Sequence, residues 1–232
     1  MSTFYFEGPI EINKVIHFKD KSEIRHAVVS LRKKENEIIE IINGSGIKFQ
    51  AKIIECNSKI LSVLPSHKID DNVEYNDLQV TIAIAVLNKS SKMKFLIEKL
   101  TEIGVYGFIP LITERTSFPK AKTESLQASM ISALKQCGGT KNVEISSQIE
   151  LKQFVKTEEF TKKYFADIDG EIFNVDYPEK NIKLLMTIGP EGGFTDEEKI
   201  LLKKNDFKPI RLNKRVLRAE TAALVAASRV LN

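Results

Sequence analysis

The stretch that most constrains this chain is Ile182-Lys183-Leu184-Leu185-Met186-Thr187-Ile188, followed at once by Gly189-Pro190-Glu191-Gly192-Gly193-Phe194-Thr195. An apolar run broken only by Lys183 and Thr187 predicts a strand covered on both faces, the habit of parallel sheets. Three glycines and a proline within five positions then predict a hard turn that lets a ligand lie against bare backbone. A helix follows, because Thr195 with Glu198 reads as a capping box and Asp196 and Glu197 suit the positive end of the helix dipole.

A strand, a glycine-rich turn and a capped helix raise the question of nucleotide binding, yet the loop matches neither familiar phosphate cradle. It has no Gly-Lys-Ser/Thr and no Gly-x-Gly-x-x-Gly. Glu191 would repel a phosphate placed here. A ligand with a neutral base and ribose, or with a positive centre, suits the charge better, and S-adenosylmethionine is such a molecule. Taken alone, the loop is equally compatible with a tight turn whose glycines serve geometry only.

A second segment narrows the choice. Phe207 to Leu212 reads as a short strand, and Asn213-Lys214-Arg215-Val216-Leu217-Arg218-Ala219-Glu220-Thr221-Ala222 is a basic loop running into an alanine-rich helix. Its small residues allow close packing on a sheet. Together with Ile188-Gly189-Pro190-Glu191-Gly192-Gly193-Phe194, this segment resembles the two signature loops of the SPOUT-class 16S ribosomal RNA uridine-N3 methyltransferases, the RsmE family. The resemblance implies an α/β fold, a SPOUT-like parallel sheet with a C-terminal trefoil knot, preceded by a small PUA-like β-barrel that helps hold RNA.

It also implies S-adenosylmethionine as cofactor, enclosed by Ile188, Gly189, Glu191, Gly192, Gly193, Leu212, Val216, Leu217, Arg218, Thr221 and Ala222. Uridine N3 must lose its proton before it can take a methyl group, which spreads negative charge onto the flanking carbonyl oxygens, and Arg218 is the residue placed to stabilise it, making it the catalytic candidate. Glu220 and Thr221 read better as helix N-terminal capping and dipole-matching residues than as catalytic ones. No general base is identifiable; Glu191 could fill that role or a structural one. The implied partners are 16S ribosomal RNA or the small ribosomal subunit and a second copy of the chain, in a homodimer. Two other readings stay open: an RNA-binding SPOUT protein without activity, and a SPOUT methyltransferase acting on ribose or transfer RNA.

The rest of the chain predicts two domains, 1–70 and 71–232. Its 232 residues suffice for two modest cores, and a net charge of +4 permits an RNA partner without requiring one. Cys56 and Cys137 are too few for a disulfide framework or a zinc site, so a reducing cytoplasm is the simplest home and no metal is expected. No signal peptide is apparent at the start, and no apolar run is long enough for a membrane span.

Before residue 70, short runs at 4–6, 15–18, 38–42, 49–54 and 60–64 read as strands, with 43–46 a turn and one helix capped by Asp20 or Ser22. That helix carries Ile24, Ala27, Val28 and Leu31 on one face. Arg25, His26, Arg32, Lys33 and Lys34 form a dense basic cluster. Arg25, Arg32 and Lys33 are candidate contacts to RNA phosphate, although a solvated helix face reads the same way. None of the three histidines is a plausible catalyst for the second half, since all lie in the first. Pro65 to Asn76 reads as a linker.

Beyond the linker, strand and helix alternate: strand 78–87, helix 92–103 stopped by Gly104, strand 108–112, helix 123–136, a short helix at 151–155 and a strand at 163–167. Lys92 to Val105 and Pro110 to Thr116 resemble the family's first helix and following strand end. Arg115 lies just past that strand, where open α/β sheets contact ligands, and is a further RNA-binding candidate; a surface ion pair is its alternative. An arginine usual in the family near position 139 is missing, with Gly139 close to its place. Lys141 can replace its charge but not its forked geometry.

Overall fold

The computed structural model describes residues 2–69, 78–117, 120–174 and 181–231. The chain divides into two compact units, Met1–Val73 with Leu134–Asn142, and Glu74–Ala133 with Val143–Asn232.

In the first unit, β1 (Thr3–Tyr5), β2 (Ile16–His17), β3 (Ile38–Ile42), β4 (Lys48–Cys56) and β5 (Leu61–Ile69) form one sheet ordered β1-β3-β4-β5-β2. The β1–β3 pair is parallel and the other ladders are antiparallel. The small barrel expected from the sequence thus takes the form of a five-stranded sheet with β1 and β2 at its edges. Alternate residues Phe49, Ala51 and Ile53 of β4 turn inward to meet Phe4, Ile39, Ile41, Leu61 and Val63. The expected helix is α1 (Lys21–Arg25), whose Asp20 carboxylate accepts the Ser22 amide at 2.7 Å, and a π-helical turn continues it over His26–Ser30. Pro65 to Ile69, expected as linker, are strand. Pro65 sits at a register shift where β5 passes β4, one of the few places a sheet tolerates proline. The remainder of that linker, 70–76, lies outside the described residues.

Leu134–Asn142 groups with this unit although it is distant in sequence. Lys135 pairs with the buried Glu23, and the Asn142 amide donates to the Tyr5 hydroxyl at 2.8 Å.

The second unit is built on a parallel sheet of β6 (Leu78–Ala85), β7 (Gly107–Ile112), β8 (Glu144–Ile145), β9 (Ile149–Glu150), β10 (Lys162–Ile172), β11 (Ile182–Ile188) and β12 (Lys208–Arg211). Its order is β12-β10-β11-β6-β7-β8, with β9 also on β7. The helices are α2 (Ser90–Ile103), α3 (Thr123–Cys137, whose end from Leu134 on groups with the first unit), α4 (Leu151–Phe154), α5 (Asp196–Lys204) and α6 (Ala219–Leu231). β11 shows why its sequence is almost wholly apolar. Leu184, Met186 and Ile188 point into one core with α2 and α6, while Leu185 points into the other with Phe165, Phe194, Leu202 and Phe207. Both faces of this central strand are therefore dry, as the sequence predicts.

Candidate functional site

The carboxyl ends of β10, β11 and β12 lie side by side, and each is followed by irregular chain, the usual location for a ligand in an open α/β sheet. The loop after β11 is fixed from within. The Gly193 amide donates to the Pro190 carbonyl at 2.9 Å, which requires Gly193 to take a φ of 69°, a left-handed value that glycine adopts freely. Gly189 is needed for space: a Cβ there would lie 3.1 Å from the Phe194 nitrogen and 3.2 Å from its ring. Phe194 is buried and packs edge-on against Phe165.

The same loop is also fastened from outside. The capping box forms as expected, with the Glu198 amide donating to Thr195 Oγ1 at 3.3 Å and the Thr195 amide to Glu198 Oε2 at 2.9 Å. The other carboxylate oxygen of Glu198 accepts the Glu114 amide at 2.8 Å. Next to it, Arg115 Nη1 donates to the Gly192 carbonyl at 2.6 Å. The turn beyond β7 thus buttresses the glycine loop, and the guanidinium of Arg115 is spent on that backbone rather than on a surface acid.

Lys92, in the first turn of α2, joins the two signature segments. Its ammonium lies 3.0 Å from Glu191 Oε1 and 3.6 Å from Glu220 Oε1. The hydrogen bond that Lys92 donates to Glu191 holds its ammonium above the usual lysine range against the cost of desolvation, with Glu220 adding to the effect. Burial pushes the Glu191 carboxyl up, but its own backbone amide, Lys92 and the Asn88 amide together outweigh this and hold it below the usual value. A carboxylate so stabilised is a poor proton acceptor, so Glu191 is better suited to fastening the loop than to acting as a base.

These segments enclose a cavity of about 460 Å³. Ile188, Gly189, Glu191, Gly192 and Gly193 of the first loop line it, together with Leu212, Val216, Leu217 and Ala222 of the second, and Arg115. The two stretches singled out in the sequence therefore form one wall-to-wall site. Arg218 and Thr221 stand outside the lining, both exposed. The Arg218 guanidinium has no ion pair or side-chain hydrogen bond among the described residues; only its carbonyl is engaged, accepting the Ala222 amide at 2.8 Å. Arg25, Arg32 and Lys33 lie in the first unit, where Lys33 is held by Glu37 at 2.8 Å. Arg25 and Arg32 carry no such partner among the described residues.

Sequence reasoning missed Lys92, and also Ala166, Asp167 and Ile168, which line the cavity from β10. An isolated lysine on a helix and an irregular strand carry no local signal; the spacing that matters is spatial. Among the described residues no helix is long and apolar enough to cross a membrane, and no group of three or more His, Cys, Asp or Glu could hold a metal ion.

Residues 74–231 match the model of the RNA methyltransferase domain, and residues 18–65 that of the RNA methyltransferase PUA domain. The chain belongs to the ribosomal RNA small subunit methyltransferase E family. It is 31% identical over 230 residues to that methyltransferase from Buchnera aphidicola subsp. Acyrthosiphon pisum, covering 96% of this chain and 89% of the relative. The Rickettsia conorii member is 27% identical over 97% of this chain and 93% of its own length. Among solved structures, the Neisseria gonorrhoeae member bound to S-adenosyl methionine superposes with a TM-score of 0.88 at 26% identity, covering 98% of this chain and 95% of that one. A Legionella pneumophila methyltransferase in complex with SAM gives 0.87 at 30% identity over 97% and 95% of the two chains.

Proposed function

We propose that this member of the family transfers a methyl group from S-adenosylmethionine to N3 of a uridine in small-subunit ribosomal RNA. The observation that carries the reading is that both signature loops wall a single cavity. Its volume of about 460 Å³ falls within the roughly 300–1,000 Å³ usual for small-molecule sites. The residues fit the donor: bare glycine backbone gives room for a flat base, Ile188, Leu212, Val216 and Leu217 supply apolar surface, and the acidic Glu191 suits a cation more than a phosphate. When bound, the donor supplies an already activated sulfonium methyl.

The protein's own part is then mainly positioning. Glycine backbone and the apolar residues of the second loop hold the adenosine end. Arg218, exposed beside the cavity and without an ion pair among the described residues, is the residue to stabilise charge developing on the uracil carbonyls. The first unit, with Arg25, Arg32 and Lys33, is the RNA-holding part, matching the PUA family model across 18–65. Sheet order supports the trefoil-knot reading of the second unit, because the chain leaving β11 must pass β10 to reach β12. A homodimer and a cytoplasmic location complete the proposal, both consistent with action on ribosomal RNA.

Mapping methylated nucleotides in ribosomal RNA from cells lacking the gene, with and without the purified protein and donor added back, tests this directly. Restoration of one N3-methyluridine in small-subunit RNA is expected. Methylation at a ribose, or in transfer RNA only, would overturn it.

A further inference from the structure

β10 is irregular where it borders the cavity. Ala166 and Glu171 both stand opposite Ile210 of β12, so residues 167–170 are extra on the β10 side. Bulges of this kind re-aim side chains next to binding sites. Only glycine fits at position 170, since a Cβ there would lie 2.6 Å from the Ile210 nitrogen and 2.7 Å from its Cα. The result is that Asp167 and Ile168 reach the cavity wall.

Asp167 is an unusual residue to find there. Its side chain is 5% exposed, yet it lies on the cavity wall, which Ile188, Leu212 and Glu191 also line. Lys199 of α5 donates to Oδ1 at 3.1 Å and lies 2.9 Å from Oδ2, and the Asp169 amide donates to Oδ1 at 3.2 Å. An ionised carboxylate offers about four acceptor positions, so Oδ2 keeps capacity for a further donor. Lys199 belongs to the helix whose capping box anchors the glycine loop, which fixes this carboxylate relative to that loop. Acidic side chains beyond strand carboxyl ends in open α/β sheets recognise ribose hydroxyls, where a phosphate would be repelled.

We propose that Asp167 accepts a hydrogen bond from the ribose diol of an adenosine ligand in this cavity, and that Lys199 is the positioning residue holding the carboxylate in place. The inference rests on the S-adenosylmethionine reading above and extends it to a residue that selects ribose over deoxyribose.

Calorimetric titration of the full chain with S-adenosylhomocysteine and with its 2′-deoxy and 3′-deoxy forms tests the assignment without depending on turnover. The wild type is expected to bind at least one deoxy form about ten- to a hundredfold more weakly, the range for a hydrogen bond to a charged group. Asp167→Ala should bind the parent ligand more weakly by a similar factor and lose the discrimination. Lys199→Met should keep a reduced discrimination. If Asp167→Ala melts early because Lys199 is left unpaired, the Asp167→Ala/Lys199→Met double variant, which removes both charges, takes its place. Wild-type discrimination retained in these variants overturns the assignment while leaving the methyl-donor reading intact. Failure of the wild type to bind S-adenosylhomocysteine at all overturns both.

Discussion

The two loops that wall the cavity are built on opposite principles. The one after β11 is over-determined: an internal backbone hydrogen bond, a capping box, Arg115 on one carbonyl, Glu198 bridging to the turn beyond β7 and Lys92 on Glu191 all hold it. The one after β12 is held at its ends by the buried Leu212 and Ala219, while Val216 between them is 79% exposed and Arg218 has no ion pair among the described residues. A rigid cradle beside a loose strap is what positioning chemistry calls for. In the proposed function the cradle is organised before binding, and the strap keeps an arginine without an ion pair among the described residues.

If that division is right, the largest loss should come from the loose side and appear in turnover alone. Arg218→Ala is expected to lower kcat by about a hundred- to a thousandfold, the usual cost of removing one charge-stabilising donor. Donor affinity by calorimetry should stay within about twofold, because Arg218 lies outside the cavity lining and makes no side-chain bond that shapes it. A parallel loss of donor binding would break the contrast between the loops.

The opposite signature belongs to the rigid loop. Gly189→Val places branched carbon where even a Cβ lies 3.1 Å from a backbone nitrogen that cannot swing away. Donor affinity should fall by about a hundredfold, or ~2.8 kcal/mol. The melting temperature should change little if the shift stays confined to the loop. An unchanged dissociation constant would mean that the cradle is not where the donor lies.

Much of the rigid loop was legible beforehand, because its determinants are local. The apolar run 182–188 marks β11 at both ends, and Thr195 with Glu198 marks the cap of α5. What fastens that loop was not legible. Lys92 and Glu191 are 99 residues apart, and Arg115 and Gly192 are 77 apart, so only the folded sheet brings them together. The β10 bulge escaped for a related reason: its cause is the approach of Gly170 to Ile210, which no period in the sequence announces. Helix α1 gives the intermediate case. Asp20 and the buried Ile24 and Ala27 were readable, while the change to a π-helical turn at His26 was not.

Removing a fastening should cost stability before it costs activity. Both carboxylate oxygens of Glu198 accept backbone amides, and the side chain is almost wholly buried. Glu198→Ala orphans two amides, each worth about 1–3 kcal/mol when left unsatisfied, so a loss of roughly 2 kcal/mol or more is expected in denaturant unfolding. Glu198→Gln retains one acceptor and should recover part of it. Equal stability of the Ala variant would show that the bridge to Glu114 contributes nothing.

Lys92 offers the finest distinction, because its effect should depend on pH. Glu191 has a carboxyl held below its ordinary value of 4.5, so its contribution is complete above that pH and disappears as pH falls through the lower folded value. Lys92 is raised above its ordinary 10.5, so its share is complete below that and is lost only as pH rises past the folded value. Near neutrality both are fully present, and the pair is partly exposed, with side-chain exposures of 25% and 37%, so Lys92→Met should destabilise only slightly there. The difference between wild type and variant should shrink below pH 4.5 and again well above 10.5, giving a plateau with two falling edges in urea unfolding. A pH-independent difference would assign the effect of Lys92 to its methylene stem rather than to charge. It would also remove the electrostatic link between Glu191 and Glu220, leaving the glycine loop to be held by its internal hydrogen bond, the capping box, Arg115 and the Glu198 bridge.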